Sequence, residues 1–329
     1  MRVEILMSAD QVLAPGRNDV LERLYAEWFE VREAHPDYHI HVLLDPNHPV
    51  APFDLLHPVH LLAHKPKVRW ARVERPDFQH DPDICPLLVT VFTPGDRGYP
   101  DEALLGETVD RAIERCASIN GAYVCGWVAC AASADELAAQ MAVRCVVANP
   151  LTGRKVLPWF EPHRLALIAD HDADILASLL PVGTRWWFID AAATVRSVAA
   201  PERDTAQPAS VQRLHALWAQ HDRIPDARRV LMALRKSEQS IPMRPEKTLD
   251  GLVRLAHEQG LRGQQDVIFF VLNCITLSPA WYAHPNIQSI LQDINADGDD
   301  SLADAVATLP DAVLDEIASY GVDPVSLQQ

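Results

Sequence analysis

The sequence predicts an α+β protein, with a mixed α/β sheet lobe over residues 1–200 followed by an all-helical lobe over 201–329. Three observations predict it. Short β-branched and aromatic runs, at 38–44, 86–92, 122–129 and 185–189, recur through the first 198 residues and then stop. They alternate irregularly with helical patterns and include a hairpin, which a purely parallel doubly wound sheet does not produce. Beyond 199–208, a linker-like stretch of Ala, Pro and charged residues, only helical spacing remains.

Each element has a local cause. Over 17–34, Val20, Leu21, Leu24, Tyr25, Trp28 and Val31 recur at helical spacing, with Asn18 or Asp19 as cap and Pro36 as stop. Residues 38–44 read as a strand in which His39 and His41 alternate with Ile40 and Val42. A proline-rich passage runs from 45 to 86, broken by a short strand near 68–73. A strand at 86–92 and a helix over 102–118 follow, and then an almost wholly apolar run at 122–129 predicts a central strand covered on both faces. Ser133 and Glu136 form a capping box that starts a helix. Residues 144–148 and 155–160 make a hairpin around the Pro150 and Gly153 turn, with Pro158 at an edge or bulge. Pro162 opens a helix in its first turn, and a second helix spans about 172–180 before the strand at 185–189. In the second lobe helical spacing covers 211–220, 225–236, 245–259, 264–277 and 286–293, with Gly260 as a C-cap.

Composition narrows the function. A net charge of −16 argues against nucleic acid or an anionic membrane surface as the main partner, since either needs a basic patch. No apolar run approaches the ~18 residues of a membrane span, and the first residues lack the layout of a signal peptide, so the expected compartment is the cytoplasm. The six cysteines form no C-x-x-C pair and read as buried thiols. From Leu291 to Gln329 there are nine acidic residues and no Lys or Arg, a surface that suits a solvated face or a basic partner.

Candidate chemistry is sparse. Eight of the fourteen histidines lie in the first eighty residues, including His39, His41, His57, His60 and His64, but the spacing identifies no complete ligand set or second shell for zinc. A metal-dependent hydrolase built on this passage is the alternative reading. Asp293, Asn295 and Asp297 reproduce the first half of a calcium loop, whose twelfth position is Asp304, shorter than the usual bidentate Glu. A calcium-regulated interaction protein is therefore a third reading. No nucleophile elbow or phosphate loop is present, and no cofactor is expected.

The order of several motifs resembles the effector-chaperone (adaptor) family of bacterial type VI secretion systems over about 38–198. It is carried by Pro86-Leu87-Leu88-Val89, Gly126-Trp127-Val128 with Ser133 and Glu136, the box Trp159-Phe160-Glu161-Pro162-His163-Arg164, and Leu180-Pro181 with Trp186. Gly260, Asp266 and His284-Pro285 are similar to the helical segments that follow in that family. The chain departs from it at Pro158 and Glu161, where the family has arginine and aspartate, leaving Arg164 as the neighbouring cation. The resemblance implies a cytoplasmic, non-catalytic protein that binds a secretion effector and helps load it onto a VgrG-type spike. Trp159, Phe160, Arg164, Trp186, Trp281 and Tyr282 are the candidate contact residues, since aromatic and basic groups dominate binding hot spots.

Overall fold

The structure is a computed structural model that describes residues 16–64, 69–99, 101–203, 209–297 and 301–320. Two compact units divide the chain between Asp222 and Arg223. In the first, β1 (His39–Leu44), β2 (Trp70–Arg72), β3 (Leu87–Phe92), β4 (Val124–Cys130), β7 (Arg185–Ile189) and β8 (Val195–Ala199) form one sheet in the order β2-β3-β1-β4-β7-β8. Every pairing in it is antiparallel. A separate hairpin joins β5 (Val146–Asn149) to β6 (Gly153–Val156). The helices of this unit are α1 (Arg17–Ala34), α2 (Pro58–His64), α3 (Glu102–Arg115), α4 (Ala134–Arg144), α5 (Pro162–His171) and α6 (Ala173–Leu179).

Antiparallel sheets often leave one face to water, but this one is covered twice. Ile40, Val42, Leu44, Val89, Trp127 and Trp187 pack with Val20, Leu24 and Trp28 of α1 and Leu105 and Val109 of α3. On the opposite side Leu43, Leu88, Val128, Trp186 and Phe188 join Leu137 and Met141 of α4, Leu165 of α5 and Ile175 of α6. β4 is buried along its whole length, as its continuous apolar run requires.

Gly126 makes the centre of the sheet possible. Its φ of +139° is open to glycine, and a Cβ there would lie 2.3 Å from the main-chain oxygen of Trp187. The β1–β4 register also shifts between Leu43 and Leu44, opposite this residue. The capping box forms as predicted: Ser133 Oγ accepts from the Glu136 amide, and Glu136 accepts from the Ser133 amide at 2.9 Å. In the hairpin turn Asn149 Oδ1 accepts from the amides of Leu151 and Thr152, and Gly153 takes φ +87°.

Four expectations change. The second hairpin strand stops at Val156 instead of reaching residue 160, because Pro158 has no amide to give the ladder and the Trp159 amide turns back to Leu157 O at 2.8 Å. A strand that the sequence reading left out, β8, continues the sheet, and the Ala200 amide still bonds Thr184 O at 2.8 Å. The lobe therefore does not end near 200. It extends through the first part of α7 (Val211–Lys236), whose Leu217 and Trp218 belong to the same core and whose Trp218 indole donates to Ala148 O at 2.8 Å. The helices expected at 211–220 and 225–236 are this one helix, with Pro225 inside it. Residues 204–208 of the expected linker lie outside the described residues.

The second unit holds the rest of α7 with α8 (Pro245–Glu258), α9 (Gln264–Thr276), α10 (Pro285–Asp297), α11 (Leu302–Ala307) and α12 (Asp311–Ser319). Val230, Leu231, Leu249, Val253, Phe270 and Trp281 are among its buried residues. Arg223 makes a two-point bond to the buried Asp250 carboxylate at 2.7 and 3.0 Å. Gly260 ends α8 in the left-handed region, φ +91°, as its C-cap reading predicts.

Candidate partner-binding cleft

Four of the six candidate contact residues are core. Trp159, Phe160, Trp186 and Trp281 are almost wholly enclosed. Trp159 packs edge-on against Trp186 at 5.2 Å and Phe160 at 5.9 Å, the Trp186 indole donates to Thr184 Oγ1 at 2.9 Å, and the Trp281 indole donates to Cys274 Sγ at 3.3 Å. Alternation along β7 places one tryptophan on each face, and both faces are covered, so neither Trp186 nor Trp187 reaches solvent. Arg164 pairs with Glu161 at 3.1 Å and its Nε donates to His221 Nδ1 at 3.1 Å. Glu161 also caps α5 through the Arg164 amide, so this pair fixes the start of that helix. Tyr282 is half-buried in the helical unit, against Phe270 at 5.4 Å. The six do not converge on one surface within either unit.

The metal candidates are also placed. His60 bonds Pro52 O at 2.7 Å, His57 Nδ1 accepts from the Val59 amide at 3.3 Å, and their rings are 6.2 Å apart. The side chain of His64 lies outside the described residues. His41 is buried between Thr90 Oγ1 at 3.1 Å and Ala132 O at 3.2 Å, and burial pushes it down to about 4, so the ring is neutral. Among the described residues no three His, Cys, Asp or Glu groups gather to hold a metal ion. Asp293, Asn295 and Asp297 lie within α10, where residues two apart are turned by about 200° around the axis and do not form the expected loop. Asp304 belongs to α11, and 298–300 lie outside the described residues. The six cysteines are free thiols, and burial pushes Cys130 and Cys145 up to about 12.

An open apolar feature lies in the proline-rich passage instead. Where β1 ends, the Asp45 amide donates to Tyr123 O at 2.7 Å, and the Asp45 carboxylate accepts from the Asn47 amide at 3.1 Å, starting a turn. Burial pushes that carboxyl up to about 6, against the opposing pull of Arg75. Further along, Asp54 accepts from the Leu56 amide at 2.8 Å and pairs with Arg111 of α3. The Tyr123 hydroxyl donates to Leu56 O at 2.5 Å, and Arg115 reaches Pro49 O at 3.3 Å.

These anchors fix a loop that carries greasy groups outward. Phe53 is 85% exposed, Leu55 65% and Val59 65%, while Leu56 between them is buried. Beside them is a cleft of about 330 Å³ lined by Pro46, Pro49, Val50, Val59, Ile84 and Tyr123, with His57 and the Arg72–Asp83 pair, 2.6 Å apart, also in its wall. Such a cleft with a few polar groups suits an apolar side chain or segment of another molecule. Phe53 and Leu55, on the loop beside it, lie in a proline-rich passage with neither helical nor strand periodicity. No helix among the described residues is long and apolar enough to cross a membrane. No family model matches the chain, and neither a curated protein nor a solved structure matches it.

Proposed function

We propose that the protein is a non-catalytic cytoplasmic adaptor that holds another polypeptide, a type VI secretion effector that it helps load onto a VgrG-type spike. The observation that carries the holding role is the rigidly anchored loop presenting Phe53, Leu55 and Val59 beside an apolar cleft. Exposed apolar groups on a fixed backbone lose little entropy when they are covered, which favours binding. The identity of the cargo comes from the motif order around Pro86, Ser133, Trp159 and Trp186. The net charge of −16 supports a protein partner over nucleic acid.

The test is co-expression with the toxin or spike-linked protein encoded beside it, followed by affinity co-purification. The wild type should retain the effector in a defined stoichiometry. A Phe53→Ser, Leu55→Ser double variant should fold and melt like the wild type, since both side chains are exposed, yet lose most of the captured effector. Undiminished capture by the variant would remove this loop from the reading. Failure of the wild type to retain any encoded neighbour would remove the secretion role.

A further inference from the structure

Asn120 is followed by Gly121, and no other asparagine of the chain precedes a glycine. That pairing has a chemistry of its own, because a glycine has no Cβ to keep its amide nitrogen away from the side-chain carbonyl of the residue before it. The fold leaves the reaction open here. The pair lies between the end of α3 at Arg115 and the start of β4 at Val124, so neither a helix nor a sheet ladder holds the Gly121 amide, and its bond to Ser118 O is long, at 3.3 Å. The Asn120 side chain is exposed and makes no hydrogen bond among the described residues. Asp250–Gly251 is the contrast: it sits inside α8, and the buried Asp250 carboxylate is bound twice by Arg223.

We propose that Asn120 is a self-modification site, converting to isoaspartate, and that the change loosens the loop carrying Phe53. The Gly121 nitrogen gives its proton to water and bonds to Asn120 Cγ; the Cγ–Nδ2 bond breaks, and that nitrogen leaves as ammonia with a proton from water. Water then opens the ring imide at either carbonyl. One opening restores the main chain with aspartate at 120, and the other routes the main chain through Cβ, one carbon longer. The sum is one water consumed and one ammonia released, with nothing oxidised or reduced. The added carbon has no slack to enter. Gly121 takes φ +97°, and a Cβ on it would lie 2.7 Å from His48 Nε2 and 2.8 Å from His48 Cε1, so the His48 ring lies against this stretch of main chain. His48 is in turn 3.7 Å from the buried Asp45 carboxylate. Two residues beyond Gly121, Tyr123 O accepts from the Asp45 amide and the Tyr123 hydroxyl donates to Leu56 O. A longer main chain at 120 therefore pulls on the start and the middle of the loop together. None of this depends on what the loop holds.

The test ages full-length wild type in warm, mildly alkaline buffer, which favours loss of the amide proton. Peptide mapping by tandem mass spectrometry, with labelling by an isoaspartyl methyltransferase, should place isoaspartate at 120 and leave Asp250 unchanged. Asn120→Gln, exposed and so harmless to the fold, would have to close a larger ring and should age without label. Hydrogen exchange then reads the loop: with one anchoring bond lost, the Asp45 and Leu56 amides of isoaspartyl protein should exchange about fivefold faster than in fresh protein, and those of aged Asn120→Gln should not. Fresh Asn120→Asp, which adds the charge without the carbon, should exchange like fresh wild type. Label absent from 120, or spread equally over the other asparagines, would overturn the modification. Unchanged exchange in isoaspartyl protein, or equal loosening in fresh Asn120→Asp, would overturn its coupling to the loop.

Discussion

Replacing Gly126 by alanine tests the packing at the centre of the sheet. The residue sits at φ +139°, a conformation that costs a side-chain-bearing residue about 1–3 kcal/mol. The new methyl would also lie 2.3 Å from Trp187 O, a main-chain atom held by the β4–β7 pairing of Trp127 with Trp187 and Val128 with Trp186. No rotamer relieves that overlap, so the strands must separate, at a further cost of about 1–3 kcal/mol typical of overpacking. The sum, roughly 2–6 kcal/mol, is a large part of the 5–15 kcal/mol that holds an ordinary domain. Urea unfolding followed by tryptophan fluorescence reads it, because every tryptophan except Trp281 lies in the sheet unit. Gly153→Ala is the control: its φ is +87° but an added Cβ meets nothing, so only the smaller conformational cost should appear. A loss below about 1 kcal/mol for Gly126→Ala, or one no larger than that of Gly153→Ala, would refute the steric argument.

Three further outcomes are expected. Trp159→Ala should destabilise the sheet unit by about 3–5 kcal/mol in the same urea assay, whereas a surface contact residue would leave stability unchanged. Asp45, raised by burial from 3.8 to about 6, favours folding when protonated, so its contribution is complete below about pH 4 and is lost as pH rises through 6. Urea titrations at pH 7 and pH 4 should therefore show the wild type gaining about 2 kcal/mol relative to Asp45→Asn on acidification, and a constant difference would refute it. Ser133→Ala removes the acceptor for the Glu136 amide and should cost about 1 kcal/mol, read by thermal unfolding against Ser133→Thr, which keeps a hydroxyl.

Elements governed by local chemistry were readable before the structure. The capping box at Ser133, the turn closed by Gly153, the C-cap at Gly260 and the apolar run of β4 each carry their cause within a few residues. What was hidden depends on partners far along the chain. β8 carries no strand pattern in the sequence because Arg196 and Ser197 interrupt its apolar letters, yet Arg196 meets the buried Asp170 carboxylate at 2.8 and 3.0 Å and its strand pairs with β7. Pro225 read as a helix start because local rules disfavour it within a helix, but Leu217 and Trp218 before it and Val230 and Leu234 after it are all buried, and that packing carries α7 through. The pattern of β7 told which side each tryptophan takes; it held no information on whether that side was roofed. The cleft was missed for a related reason: Phe53 and Leu55 stand out only when the rest of the loop is seen tied down by Asp54, Arg111 and Tyr123.

The outer border of the sheet has a bearing on life in a crowded cell. β2 is three residues long, and the main-chain bonds from Arg69 and Val73 both point inward to β3, at Thr90 and Pro86. That leaves the peptide groups of Trp70 and Arg72 as the stretch of open ladder on this side, with the charge of Arg72 drawn to Asp83. So brief a run gives a foreign strand too little to zip onto. Along this described edge an incoming extended chain finds almost no unpaired backbone to add to.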